Sequence, residues 1–270
     1  MTMSSPRKIF LCALAAAFLS IPALAQAQAQ RRNIPRMPDG KPNLNGIWQT
    51  MNTANWDLQA HEARKGTVAA LGAIAAEPGG SSVVEGGTIP YLPAAAAQKQ
   101  KNFENRLNLD PEVKCYLPGV PRATYMPYPF QIFQNANSIG IAYEYAGAFR
   151  DLLMKDPGPA PTDSWMGQSV AKWEGDTLVV TVTDQNKSSW FDRAGDFHSD
   201  ELKVTERYTM MSADIINYEA TMEDAKTFSR PWKISMPLYR HVEKNARLVE
   251  FKCPEFVEDL LYGPMRKKNP

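Results

Sequence analysis

The chain has 270 residues, 44% of them hydrophobic, with 30 basic and 29 acidic side chains and a formal net charge of +1. So even a balance, with no basic stripe, excludes a protein that grips phosphate backbones, and no nucleic-acid partner is expected. Three histidines and three cysteines leave little material for a metal centre, and neither a metal nor any other cofactor is expected.

Residues 1–25 read as a signal peptide. Arg7 and Lys8 precede an apolar run over 9–19, and Ala23-Leu24-Ala25 offers a small-x-small cleavage site. The run is too short for a permanent membrane helix, which needs about 20 apolar residues. The mature chain is therefore expected in the periplasm or secreted, without an integral membrane segment. Lys8, standing where a twin-arginine signal needs its second arginine, favours the Sec route. Cleavage removes Arg7, Lys8 and Cys12, which takes the basic count from 30 to 28 against 29 acidic. Cys115 and Cys253 remain, and two cysteines in an oxidising compartment are expected to form one disulfide.

Residues 26–45, Gln/Ala repeats followed by prolines, read as an irregular tail. A first strand is expected at 46–51. The stretch 52–112 reads as a helical or irregular insertion: Ala-rich over 56–76, a break at 79–87, then a helical candidate at 94–107 ended by Asp110-Pro111. Four prolines in 117–129 make an extended connector. Strands are then expected at 130–134, 138–146, 148–154, 168–173, 177–184, 201–209, 215–222, 232–239 and 247–253. Alternation is good: Ile139, Ile141, Tyr143 and Tyr145 share a face, as do Trp232, Ile234, Met236 and Leu238. Sequential strands with almost no helix between them predict an all-β fold, an antiparallel up-and-down β-barrel that closes to hide its edges. It forms one domain over 46–270, interrupted by the insertion at 52–112.

No strong catalytic motif occurs. His61 and His241 read as surface residues. His198 stands out because the loop from Trp190 to Asp200 gathers aromatics, three aspartates and the imidazole between strands. An imidazole oriented by a carboxylate can move a proton near neutral pH. Asp192, Asp196 and Asp200 all lie close enough to be that partner, and a polar turn bonding its own backbone is the plainer reading. Glu206 shares the apolar face of Leu202, Val204 and Tyr208. It is either a second acid/base group or the partner of an arginine such as Arg150 or Arg230.

These residues point to a cofactor-independent acid/base enzyme, an isomerase or lyase, acting on an apolar or aromatic small molecule. His198 transfers the proton, Asp192 orients it and Glu206 is the second acid/base. Tyr143, Trp165 and Trp190 line the pocket, and Arg150 holds an anionic substrate group. The alternative is a periplasmic carrier that binds such a molecule without chemistry, because aromatic walls suit binding equally well.

Gly46-Ile47-Trp48 at the first strand resembles the Gly-x-Trp signature of lipocalins and the wider calycin superfamily, which implies a calycin-like barrel; a disulfide reaching the C-terminal region is common there. Asp110-Pro111-Glu112-Val113-Lys114-Cys115, the run from Trp173 to Val180, Phe197-His198-Ser199 and Pro231-Trp232-Lys233 are similar to a widespread family of secreted proteins from environmental Gram-negative bacteria. That similarity implies a fold and no mechanism.

Overall fold

The alternation that is legible in the strands becomes the two faces of a barrel wall. The structure is a computed structural model describing residues 34–66, 76–251 and 265. Its strands are β1 (Gly46–Thr50), β2 (Phe130–Gln134), β3 (Ile139–Tyr143), β4 (Phe149–Leu153), β5 (Gln168–Glu174), β6 (Thr177–Thr183), β7 (Lys203–Ser212), β8 (Ile215–Glu223) and β9 (Trp232–Arg240). They follow one another in order around a closed barrel, and β1 completes it by pairing with both β2 and β9. On β8 and β9 every second side chain is buried: Ile216, Tyr218, Ala220 and Met222 meet Leu238, Met236, Ile234 and Trp232 in register. Each large apolar side chain so buried contributes roughly 1.5–3 kcal/mol.

The pairing is antiparallel throughout except for β4 and β5, which run parallel through Leu152↔Ser169 and Leu153↔Val170. A parallel pair needs a crossover rather than a hairpin, and the Gly/Pro-rich stretch 154–167 supplies it. The all-antiparallel expectation is corrected at that one seam.

Closure rests on the start of β1. Gly46 has φ +142°, and a Cβ there would fall 2.0 Å from Nη1 of Arg240. That nitrogen donates to the carbonyl of Asn45, Nε donates to the carbonyl of Ala213 at 2.9 Å, and the guanidinium lies 4.2 Å from the Trp48 ring centroid. Trp48 is fully buried and donates from Nε1 to the Leu44 carbonyl at 2.9 Å. The Gly-x-Trp triplet is thus a seam: glycine makes room for the arginine of the last strand, and tryptophan lies against it.

Between β1 and β2 the described residues add no strand to the barrel. It forms an arm containing α1 (Pro93–Glu104), with proline at its first turn, and a short helical turn at Arg106–Leu109. No helix is seen in 56–66; there the arm doubles back through bridges His61↔Gly80 and Arg64↔Glu77, which corrects the expectation of helix in that part. Alanine content favours helix, but contacts with the barrel decide the backbone here. Leu58, Val84 and Ile89 join the barrel's apolar cluster. Val83 accepts from Ser235 N and Glu85 donates to the Lys233 carbonyl, so the arm covers β9 where β1 has ended. Pro237 falls in the gap between the two, where its missing N–H leaves no partner wanting.

The expected last strand does not form over 247–251. That segment packs by side chain instead: Phe251 meets Tyr128 edge-on at 4.8 Å and Tyr145 at a tilt at 5.0 Å. Cys253, and with it the expected bond to Cys115, lies outside the described residues, as do the signal peptide and most of the tail. Among the described residues no helix is long and apolar enough to cross a membrane.

Candidate functional site

The residues singled out in the sequence separate into distinct clusters. Inside the barrel, Glu206 of β7 faces Arg150 of β4 across the lumen, with Nη2 to Oε2 at 2.5 Å and Nη1 to Oε1 at 3.3 Å. Oε1 also accepts from the hydroxyls of Tyr208 and Tyr218 at 2.9 and 2.8 Å. The guanidinium donates further to Tyr143 at 3.1 Å and to Ser169 at 2.9 and 3.2 Å. Burial works against the Arg150 charge, but Glu206 outweighs it and raises the guanidinium pKa well above its usual value. Burial, reinforced by Glu206, likewise pushes the Tyr208 and Tyr218 phenols far up. Every group is spoken for. Glu206 is therefore the arginine-paired carboxylate of the two readings, and Arg150 and Tyr143 are its partners inside a filled barrel.

The loop after β6 holds His198, and both of its nitrogens are engaged. Nδ1 lies 2.7 Å from the Ser199 carbonyl, so it carries the proton, and Nε2 accepts from Ser189 Oγ at 2.8 Å. Asp224 steadies the turn by accepting from Ser199 N and Oγ at 2.7 and 2.8 Å. The imidazole is 2% exposed and packs on Phe191, and burial pushes its pKa down. Asp192 does not orient it, which corrects that expectation. A serine–imidazole pair with a third group behind it has the order of a nucleophile and its base, yet Ser189 is only 1% exposed. Ser189 escaped notice because a lone serine beside a tryptophan carries no signal.

Asp192 belongs to a different cluster. Its Oδ1 accepts from Ala194 N and Asp196 N at 2.9 and 3.1 Å, and its Oδ2 from Leu58 N at 3.0 Å. It thereby closes its own loop and pins it to the arm. Asp57 of the arm and Asp196 complete a trio in which one carboxylate oxygen from each residue lies within 4.8 Å of the others. Burial, then the neighbouring Asp196, raises the pKa of both Asp57 and Asp192, that of Asp192 strongly. Asp200 stays outside, paired with Lys226 on the surface. His61 is half-buried rather than exposed: Nδ1 bonds the Gln59 carbonyl at 2.8 Å and Nε2 has no hydrogen-bond partner. His241 is likewise half-buried, with Nε2 2.9 Å from Gln49 Oε1.

Next to this trio a fourth cluster ties the arm to the barrel. Arg122 is 1% exposed and donates to Asp110 at 2.9 and 3.2 Å, to Glu112 at 2.6 Å and to Asn55 at 2.8 Å. Arg193 grips the other side of Glu112 with a two-pronged contact. Burial alone would raise the Glu112 pKa, but Arg193, Arg122 and Asn55 together hold it down at about 2.

The two tryptophans expected at a pocket mouth are apart. Trp165 stacks on Tyr116 at 5.0 Å, while Trp190 is buried and bridges to Phe197. Among the described residues, a groove of about 600 Å³ opens elsewhere, on the outer wall over β2, β3 and β4. Phe133 and Phe149 stand 47% and 59% exposed on that wall. The Phe149 ring lies over Gly140, where a Cβ would meet it at 2.9 Å. Asn45, Asn135, Ser138 and Asp151 supply the polar rim. Strand alternation carried this signal: Phe133 and Phe149 are apolar residues on faces otherwise turned to water.

Comparison with protein-family models, curated proteins and solved structures finds no match for this chain.

Proposed function

We propose that this protein binds an apolar or aromatic small molecule on its barrel wall, as an exported carrier without chemistry of its own. The observation that carries the reading is the groove over β2–β4. Two exposed phenylalanines line it, one of them lying over Gly140, and its volume lies within the 300–1,000 Å³ of ordinary ligand sites. Asp151 is the one titratable side chain in its lining. A carrier needs one or two such orienting groups, whereas an acid/base catalyst needs two within reach of the same substrate atom. The isomerase or lyase reading lacks that convergence, since His198, Asp192 and Glu206 belong to separate buried clusters.

The same proposal includes cleavage after Ala25, release into the periplasm, a Cys115–Cys253 disulfide and kinship with calycins through Gly46-Ile47-Trp48. The test is to incubate the purified mature chain with small-molecule extracts and identify what it retains by mass spectrometry. Wild type and His198→Ala are expected to hold the same unchanged compound, and Phe133→Ser/Phe149→Ser to lose it by at least tenfold. A new product that vanishes with His198→Ala would overturn the carrier reading in favour of catalysis.

A further inference from the structure

Asp192 and Asp196 are both fully buried, and Asp57 is partly so. Three carboxylates within 4.8 Å of one another repel strongly in a site that excludes water. Backbone N–H groups satisfy part of the trio: three on Asp192, and Gln59 N on Asp57 at 2.8 Å. Tyr91 donates to Oδ1 of Asp196 at 2.9 Å. Oδ2 of Asp196 is buried and accepts no hydrogen bond among the described residues, its one ionic neighbour there being the Lys99 ammonium. A buried carboxylate oxygen left bare costs about 1–3 kcal/mol or more, so its vacancy asks for an explanation.

The charges around the trio supply only a loose ion pair. Lys99 Nζ stands 4.0 Å from Asp196 Oδ2, beyond hydrogen-bond reach, on a side chain that is 22% exposed. Arg193 turns its fork to Glu112 and Arg106 turns to Glu77. His61 bonds the Gln59 carbonyl through Nδ1 and makes no hydrogen bond to the carboxylates. The loop itself is built for a fixed geometry. Gly195 has φ +87°, and a Cβ there would strike Asn102 and Phe103 of α1 at 2.7 and 2.8 Å, so the turn between Asp192 and Asp196 is pressed against the helix.

We propose that Asp57, Asp192 and Asp196 bind a hard divalent cation, Ca²⁺ first among them, with the bare Oδ2 of Asp196 as a principal ligand. All donors are oxygens, which selects calcium-like and magnesium-like ions over zinc or copper. Calcium–oxygen bonds of about 2.3–2.6 Å let one ion span oxygens up to about 5 Å apart, as the trio requires, whereas magnesium's shorter bonds of about 2.0–2.1 Å reach less far. A cavity of about 20 Å³ adjoins the trio, lined by Asp57, Trp56 and His61 and also by Arg64, Arg106 and Arg193, of which Arg106 and Arg193 are paired with Glu77 and Glu112. It has room for one water as a further ligand. Lys99 is the built-in competitor: its ammonium occupies the approach and must swing out as the ion enters. This departs from the metal-free expectation drawn from the sequence, which counted histidines and cysteines and so passed over aspartates. The inference is independent of the barrel-wall groove.

Terbium(III) is the probe, since it replaces Ca²⁺ at oxygen sites and Trp56 lies at the cavity to sensitise its emission. Full-length mature protein stripped with a chelator is titrated with Tb³⁺, exciting tryptophan, and the complex is then titrated with Ca²⁺. One saturable site per chain, displaced by Ca²⁺, is expected. Asp196→Asn, which keeps the Tyr91 contact, should weaken binding at least tenfold. Lys99→Met leaves all three carboxylates in place and should tighten it at least threefold. Absence of saturable emission overturns the proposal, as does emission that Asp196→Asn leaves unchanged. Should Asp196→Asn fail to fold, Lys99→Met decides, and unchanged affinity there overturns the proposal.

Discussion

At the residue scale the barrel's most consequential atom group is the Glu206 carboxylate. Through it, side chains of β3, β4, β5, β7 and β8 meet: Tyr143, Arg150, Ser169, Tyr208 and Tyr218. The Arg150–Glu206 pair is 1% and 0% exposed, so neither partner can fall back on water. Replacing Arg150 by Met strands a buried anion and is expected to cost about 3–5 kcal/mol. Arg150→Met/Glu206→Gln removes the anion as well, and should recover at least about 1 kcal/mol of that loss. Urea unfolding of the single and double variants measures both; a double variant no more stable than Arg150→Met would show that the charge is not what matters. Alternation alone put Glu206 on an apolar face. It could not choose between Arg150 and Arg230, because β4 and β7 are not neighbours in the sheet and only barrel curvature brings them together. Arg230 is exposed before β9 and bonds the adjacent Pro231 carbonyl.

At the scale of elements, β1 is the short strand on which closure depends. It joins β2 by Gly46–Trp48 and β9 by Trp48–Thr50, so Trp48 alone belongs to both ladders. Gly46→Ala must either displace the Arg240 guanidinium or distort a backbone held at φ +142°. A loss of about 1–3 kcal/mol is expected. In an Arg240→Ala background the steric part of that cost disappears, so the two substitutions should be less than additive. A double-mutant cycle with hydrogen exchange at Ile47 to Thr50 reads this directly, and full additivity would place the strain in the backbone alone. The triplet was legible as a signature, but its partner lies near the far end of the chain and no local pattern announces it.

At the scale of the whole molecule, the arm and the barrel are held together by the buried Asp110–Arg122–Glu112–Arg193 network. Asn55 and the Tyr145 hydroxyl complete the shell around Glu112. Glu112 titrates at about 2 when folded, against 4.5 for a free glutamate. A depressed carboxylate contributes its stability above the unfolded value and loses it as pH falls through the folded one. Stability from this network is thus complete above about pH 5, and declines as the solution is taken from pH 4.5 towards 2, by a few kcal/mol in all. Limited proteolysis at stepped pH should show the arm becoming cleavable over that window in wild type. In Glu112→Gln the arm should be labile already at pH 7, with no further change on acidification attributable to this site. A wild-type arm equally resistant at pH 3 and pH 7 would sink the assignment.

The sequence by itself determined the barrel. Period-two alternation and short polar breaks specify strands and their inner faces locally, and a run of such strands has few ways to avoid open edges other than closing. It also marked Glu206, His198 and Asp192 as unusual, each from its immediate neighbours. What they do was decided only by tertiary structure. His198 took Ser189, Glu206 took Arg150 and Asp192 took the backbone of Leu58, and two of those three partners stand dozens of residues or more away in the chain. Where strands cross a lumen, or an arm folds back on a loop, pairing is set by curvature and packing, which no local pattern encodes. The same reason explains the arm between 56 and 66, where a helix was expected and pairing with the returning segment at 77–80 formed bridges instead.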